Sequence, residues 1–158
     1  MPNWCHNKLE VYSENIQSLQ NFINLVKGSD SDFSLRNLLP GPYELTRNNT
    51  IDFKSDPKLL EEYIFGDSSK WYRENWGTKW DVEAKAHRMS DNKILYTFAS
   101  AWSPPLEWIK YAATQFPDLE FKLNYDGSAL GYKGLFIAQG DISIDECQEE
   151  PGFFGPNF

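Results

Sequence analysis

Leu119-Glu120-Phe121-Lys122-Leu123-Asn124-Tyr125 alternates apolar and polar side chains without a break. Successive side chains of a strand point to opposite faces, so this stretch predicts a strand with one buried face. Asp126-Gly127 begins a turn after it. Gly131 to Gly140, with Tyr132, Leu135, Phe136 and Ile137, predicts one more strand, which Ile142 and Ile144 extend after a bend. Upstream, Ser103-Pro104-Pro105 opens a helix, with Ser103 at or just before the N-cap. Its apolar stripe is Leu106, Ile109, Ala112, Ala113 and Phe116, and Pro117 ends it. Lys93 to Trp102 is rich in β-formers, and Lys79 to Met89 places Trp80, Val82, Ala84 and Ala86 on one face. Ser90-Asp91-Asn92 joins these two as a hairpin.

The N-terminal part completes the pattern. Trp4 to Tyr12 predicts a strand with Cys5, Leu9 and Val11 on one face and Lys8 and Glu10 on the other. Ser13 is a candidate N-cap for a helix carrying Ile16, Leu19, Phe22, Ile23 and Val26, which Gly28 stops. Phe33 to Phe53 is irregular, with Pro40-Gly41-Pro42 forbidding regular structure. Asp56-Pro57 starts a helix through Leu59, Leu60, Tyr63 and Ile64, and Gly66-Asp67 breaks it before a short helix over Ser68 to Trp76. Without the insertion (about residues 29–78) and the final strand, the order is β-α-β-β-α-β. The expected class is therefore α+β: a ferredoxin-like βαββαβ antiparallel sheet, two helices on one face, a helical insertion and an extra C-terminal strand. One domain is expected over 1–145, followed by an acidic, Phe-rich tail over 146–158.

Composition narrows the function classes. The formal net charge of −8 opposes wrapping of nucleic acid, which needs Lys and Arg to displace counterions, so no double-stranded nucleic acid is expected as partner. A local basic pocket for a small anion and an acidic surface facing a basic partner both stay open. Aromatic residues reach 16%, more than a core of this size calls for, so an exposed aromatic patch or pocket is expected. Cys5 and Cys147 form no CxxC pair and, with His6 and His87, no metal-ligand pattern. No iron–sulfur cluster or other cofactor is implied. A signal peptide and a membrane span are both absent from the pattern, so a cytoplasmic protein with no membrane partner is expected.

Four segments together, Met1-Pro2-Asn3-Trp4-Cys5 with Asn7 and Leu9, Asn75-Trp76-Gly77-Thr78-Lys79-Trp80-Asp81, Ala101-Trp102-Ser103-Pro104-Pro105 and Gly131-Tyr132-Lys133-Gly134, resemble the YubB-type ferredoxin-like family of phage and plasmid proteins. The resemblance implies the same fold, no established enzymatic activity, and an accessory role during infection or transfer. Tyr125 to Gly134 departs from the family pattern in lacking an acidic-Pro-Gly turn.

Asn75 to Asp81 is a helix-to-strand corner with two indoles, an amide, a cation and a carboxylate. Two readings stand. In one, the tryptophans pack in the core while Asn75 and Asp81 satisfy turn amides. In the other, Trp76 and Trp80 stack on a planar ligand, Lys79 neutralises an anion and Asp81 accepts from an amine. Trp102-Ser103 at the next helix start is either a plain cap or an anion site beside an indole. The topology brings Trp4, Trp80, Trp102 and Lys79 toward one end of the sheet. The expected ligand-binding residues are thus Trp4, Asn75, Trp76, Lys79, Trp80, Asp81, Trp102 and Ser103. No nucleophile elbow, P-loop, HExxH or GxGxxG motif is present, His6 and His87 sit at surface strand positions, and Glu61-Glu62, Asp141 and Asp145 suit a solvated face. The expectation is a non-enzymatic phage or mobile-element protein that counters host defence by sequestering a small anionic, nucleotide-like ligand. An inhibitor of a host protein, using the acidic surface and aromatic tail, is the alternative, and an enzyme acting on a nucleotide ranks behind both. A homo-oligomer through exposed sheet edges is also open.

Overall fold

Period-two alternation builds the first strand as read. β1 (Trp4–Tyr12) buries Cys5, Asn7, Leu9 and Val11 and exposes Trp4, His6 and Lys8. The computed structural model describes residues 3–41 and 68–149. The helix expected from Asp56-Pro57 and the tail from residue 150 lie outside the described residues.

Helix α1 (Ile16–Val26) buries Leu19, Phe22 and Val26, while Ile16 is exposed. Its N-cap is Asn15 rather than Ser13: the Asn15 side chain accepts from the Ser18 amide. Ser13 is instead a tie. Its Oγ accepts from Asn15 N and donates to the Asp118 carbonyl, both at 3.0 Å. A one-turn helix, α2 (Leu35–Leu38), and α3 (Ser68–Asn75) follow. β2 (Ala84–Ser90) and β3 (Lys93–Ala101) form the hairpin. α4 (Leu106–Gln115) and β4 (Glu120–Gly127) come next, then a 3-10 turn over Ser128–Leu130, β5 (Tyr132–Gln139) and β6 (Ile142–Glu149).

The strand order is β2-β3-β1-β4-β5-β6, and every neighbouring pair is antiparallel. The first four strands are the ferredoxin-like core, with the β5–β6 hairpin added beside β4. Ile142 and Ile144 do not extend β5. They open a separate strand that runs to Glu149, four residues past the boundary expected at 145. β2 begins at Ala84, not Lys79, because the Asp81 side chain bonds to α2 instead of letting the chain enter the ladder. Asp126-Gly127 likewise belongs to β4 and not to the turn.

Helices α1 and α4 cover one face. Phe22 of α1 meets Trp108 of α4 and Phe121 of β4 with ring centroids 6.3 and 5.3 Å apart. Phe33 lies between Tyr96, Phe98 and Trp108 at 4.9–5.4 Å. Trp108, outside the stripe read from the sequence, is fully buried and donates its indole N–H to the Leu35 carbonyl at 2.9 Å. Much of the aromatic excess is thus core. The other face of the sheet carries no helix among the described residues.

Candidate functional site

The corner at 75–81 is built by a helix stop. Trp76 N and Gly77 N both return to the Tyr72 carbonyl, at 2.7 and 3.1 Å. Gly77 takes φ +83°, and a Cβ there would lie 3.1 Å from the backbone nitrogens of Leu106 and Glu107, so both its conformation and its space demand glycine. The corner therefore seats directly on the start of α4.

Most of the expected site residues turn inward from there. Trp76 is 1% exposed; its indole donates to the Leu39 carbonyl at 2.9 Å, and its carbonyl accepts from Trp108 N at 3.2 Å. That bond occupies an amide at the N-terminus of α4, and Leu106 N is bonded to the Pro104 carbonyl at 2.9 Å, so two of the amides expected to meet an anion at this helix start are taken. Ser103 is not a cap either. Its Oγ donates to the Gly77 carbonyl, and its own carbonyl accepts from Ser100 Oγ at 2.7 Å. The Asn75 side chain donates to the Trp71 carbonyl at 2.9 Å within its own helix.

Asp81 is likewise committed. Its carboxylate accepts from Ser34 Oγ (2.8 Å), Leu35 N (2.7 Å), Arg36 N (3.2 Å) and Val82 N (2.8 Å). Ser34, the N-cap residue of α2, makes no side-chain cap bond of its own, so Asp81 caps that helix from across the chain. A carboxylate with these partners has no lone pair to offer a ligand amine. Asn75, Trp76, Asp81 and Ser103 are thus each tied by bonds within the fold.

Trp4, Lys79, Trp80 and Trp102 remain outward. Trp4 and Trp80 are 43% and 46% exposed with ring centroids 6.1 Å apart, and Lys79 Nζ stands 5.5 Å over the Trp80 ring. Trp80 precedes β2 and does not share the buried face of Val82 and Ala84. Trp102 is exposed to a similar degree but makes no ring contact with either. It is the one described non-glycine residue with positive φ (69°). Its backbone is pinned: N to the Asn3 carbonyl at 2.9 Å, and O to the Tyr132 hydroxyl at 2.6 Å. The expected convergence is therefore a Trp4–Trp80–Lys79 cluster with Trp102 at its rim.

This cluster lies at one end of the helix-free face. Trp4, His6 and Lys8 share that face of β1, and His6 and Lys8 line a trough of about 770 Å³. Thr97, Asn124, Asp126 and Lys133 line it too. The register orders these residues in rows. His6 stands opposite Asp126, and Asp126 opposite Lys133. One step along, Lys8 stands between Thr97 and Asn124, and Thr97 also faces Lys85. Neither Lys8 nor Lys85 has an ion pair among the described residues. Asp126 is held below the usual carboxylate range, first by the hydrogen bond from the Ser128 hydroxyl and then by His6 and Lys133. Alternation gives the face of each polar residue within its own strand but not which strands lie side by side, and the trough depends on the second. The period-two series Trp4, His6, Lys8 beside Asn124 and Asp126 was the available signal.

The covered side of this region is locked by hydroxyl bonds. Asn7 Nδ2 donates to Ser100 Oγ and the Cys5 carbonyl, and burial pushes the Cys5 thiol up to about 11. The Tyr125 ring lies across Gly134, where any Cβ would strike it, and its hydroxyl donates to Asp145 at 2.6 Å. Among the described residues no three His, Cys, Asp or Glu side chains gather as a metal site. No helix among them is long and apolar enough to cross a membrane.

Comparison with known proteins agrees with this architecture. A family model described as the ferredoxin-like domain in Api92-like protein matches residues 75–154, starting at the corner itself. The crystal structure of a protein api92 from Yersinia pseudotuberculosis matches with a TM-score of 0.53 and 13% identity, over 96% of this chain and 99% of that one. At that identity the likeness shows the fold alone. No curated protein matches the sequence. The ferredoxin-like fold implied by the resemblance is present, and the chain belongs to the family that carries the ferredoxin-like domain of Api92-like proteins.

Proposed function

We propose that this chain is a non-enzymatic binding protein that holds a small anionic ligand with a planar ring on its helix-free sheet face. The ring would lie against Trp4 and Trp80, and the anionic groups would reach Lys8, Thr97 and Lys85. The observation that carries this reading is the Trp4–Trp80 pair, nearly half exposed, with Trp4 on the same face of β1 as His6 and Lys8, which line the trough. Two indoles left in water forgo the burial that large aromatic side chains otherwise gain.

Charge supports the same reading. The chain is acidic as a whole, yet Lys8 and Lys85 flank Thr97 on this face with no carboxylate directly opposite either. Trp4 and Lys8 are four strand residues apart, a span of roughly 13 Å at about 3.3 Å per residue. That span suits a ring with an extended anionic chain, such as a nucleotide with more than one phosphate. In a phage or plasmid setting, with the YubB-type kinship, such binding would sequester a host signalling nucleotide and so counter defence.

Thermal unfolding with a panel of mono-, di- and oligophosphorylated nucleotides tests this. A ligand at 100 times its Kd adds about 2.7 kcal/mol to folded-state stability. Stacking of a base on an aromatic side chain is worth roughly 1–3 kcal/mol, so Trp80→Ala should weaken binding about 5- to 150-fold. Lys8→Glu should abolish it, and heat-released ligand should be chemically unchanged. Lack of a shift with every nucleotide, or binding untouched by both variants, overturns the proposal.

A further inference from the structure

The two edges of the sheet are finished differently. β2 carries Lys85 and Arg88 and is bent by an irregularity between Arg88 and Ser90, devices that discourage pairing with another chain. β6 has none of these. It pairs with β5 in unbroken register over its whole length, all of its residues are exposed, and its outer edge has no partner among the described residues. It contains neither proline nor lysine. Ile142 and Ile144 are 70% and 59% exposed, and Ile144 stands opposite Ile137 on the helix-free face.

Charge selects what can pair there. Residues 141–149 hold Asp141, Asp145, Glu146 and Glu149 and no lysine or arginine. A second β6 laid alongside would set carboxylates against carboxylates, which destabilises cross-strand pairs. These acids thus protect the edge against its own copy but not against a strand of opposite charge. Asp145 is held in place by the Tyr125 hydroxyl, which fixes one carboxylate on the helix side of the edge. Alternation puts Ile142, Ile144 and Glu146 on the other side.

We infer that β6 is a docking edge for an extended basic segment of a partner protein, which adds a seventh strand by backbone hydrogen bonding. The partner strand presents apolar side chains beside Ile142 and Ile144 and lysine or arginine beside Asp145 and Glu149. This site is separate from the Trp4–Trp80 cluster, on the opposite flank of the sheet from β2.

The test uses the full chain and two synthetic peptides of β6's length, one alternating isoleucine with lysine and one alternating isoleucine with glutamate. Backbone amide exchange is followed residue by residue. The lysine peptide should slow exchange at alternate β6 amides, with protection lost in high salt and in Ile144→Thr, whose exposed position leaves the fold intact. The glutamate peptide should give none. Equal protection by both peptides, or by neither, overturns the inference. So does protection of the outer β6 amides in the chain alone, whether sedimentation shows a monomer closing its own edge or a second copy seated on it.

Discussion

Trp76 and Trp80 lie four residues apart in one heptapeptide, yet one is 1% exposed and the other 46%. The difference comes from what each half of the segment is tied to. Gly77 turns the chain onto the start of α4, so Trp76 is swallowed by the core, while Asp81 is drawn to the α2 N-terminus and leaves Trp80 stranded outside. A residue pattern that reads as one aromatic site is thus two devices back to back. The same division runs along β1: Cys5, Asn7 and Leu9 are buried, while Trp4, His6 and Lys8 are exposed on the other face, where His6 and Lys8 line the trough.

The sharpest way to break this comparison is to truncate each indole in turn. Trp76→Ala should cost about 3–5 kcal/mol, as removal of large aromatic side chains from cores does. It also leaves the Leu39 carbonyl without its indole donor. Trp80→Ala should cost only about 1 kcal/mol, the loss of an aromatic contact and a cation–π contact in water, while weakening the proposed binding about 5- to 150-fold. Urea denaturation of both variants, paired with nucleotide titration, decides it. Similar losses of stability would mean that Trp80 is a second structural indole and not a binding surface.

Asp81 supplies the next largest effect. Asp81→Ala removes the acceptor of three bonds that hold the start of α2, and cap losses run about 0.5–2 kcal/mol with charge-assisted bonds toward the upper end. Asp81→Asn keeps one acceptor oxygen and should recover part of this. Nucleotide affinity should not change in either variant. A specific loss of affinity without loss of stability would restore Asp81 as a ligand contact.

The strands were legible because alternation is a local signal. The 119–125 series, the β2–β3 hairpin and β1 all lie where period two places them, and the split βαβ order follows from their sequence. What was not legible depended on partners distant along the chain. Asp81 meets Ser34, 47 residues away, and nothing near either residue announces it. Ser103 meets Gly77, 26 residues away, and so looked like a local cap. Trp108 stands four residues before Ala112 on the buried side of α4, but Leu106, Ile109, Ala112, Ala113 and Phe116 already complete a stripe without it. β6 reads as an extension of β5 because the alternation around Ile142 and Ile144 continues the strand pattern, and nothing in it says that the chain reverses at Gly140-Asp141 to pair antiparallel with β5.

The two faces should also part company on titration. On the covered side, burial raises the Cys5 thiol to about 11 and holds the Tyr96, Tyr125 and Tyr132 hydroxyls above their usual range. The folded chain therefore keeps protons that the unfolded chain releases. Stability should be level below about pH 9 and fall as pH climbs toward 11, since stability declines wherever the unfolded state binds fewer protons. Denaturation midpoints across that range, repeated with Cys5→Ala, measure the thiol's share as the flattening in the variant. A curve flat to pH 11 in the parent protein would mean that these groups are reached by water.

On the open side the sign reverses and the effect is smallest. Asp126 has its folded pKa lowered below 3.8, so its contribution is present above that value and is lost as pH falls through the folded pKa. Because the carboxylate is solvated, the stability change in Asp126→Asn at acid pH should be slight, and the informative measurement is the carboxyl titration itself, followed by NMR. Ser128→Ala should raise that pKa more than Lys133→Ala, because the Ser128 hydroxyl is the leading cause and the charges of His6 and Lys133 come after it. The order matters for the trough. If Ser128 holds the carboxylate, that hydroxyl and not the neighbouring charges sets the protonation of this row. If Lys133→Ala moves the pKa most, that row of the sheet is already neutralised within the protein, and only the Lys8–Thr97–Lys85 row is left to bind an anion.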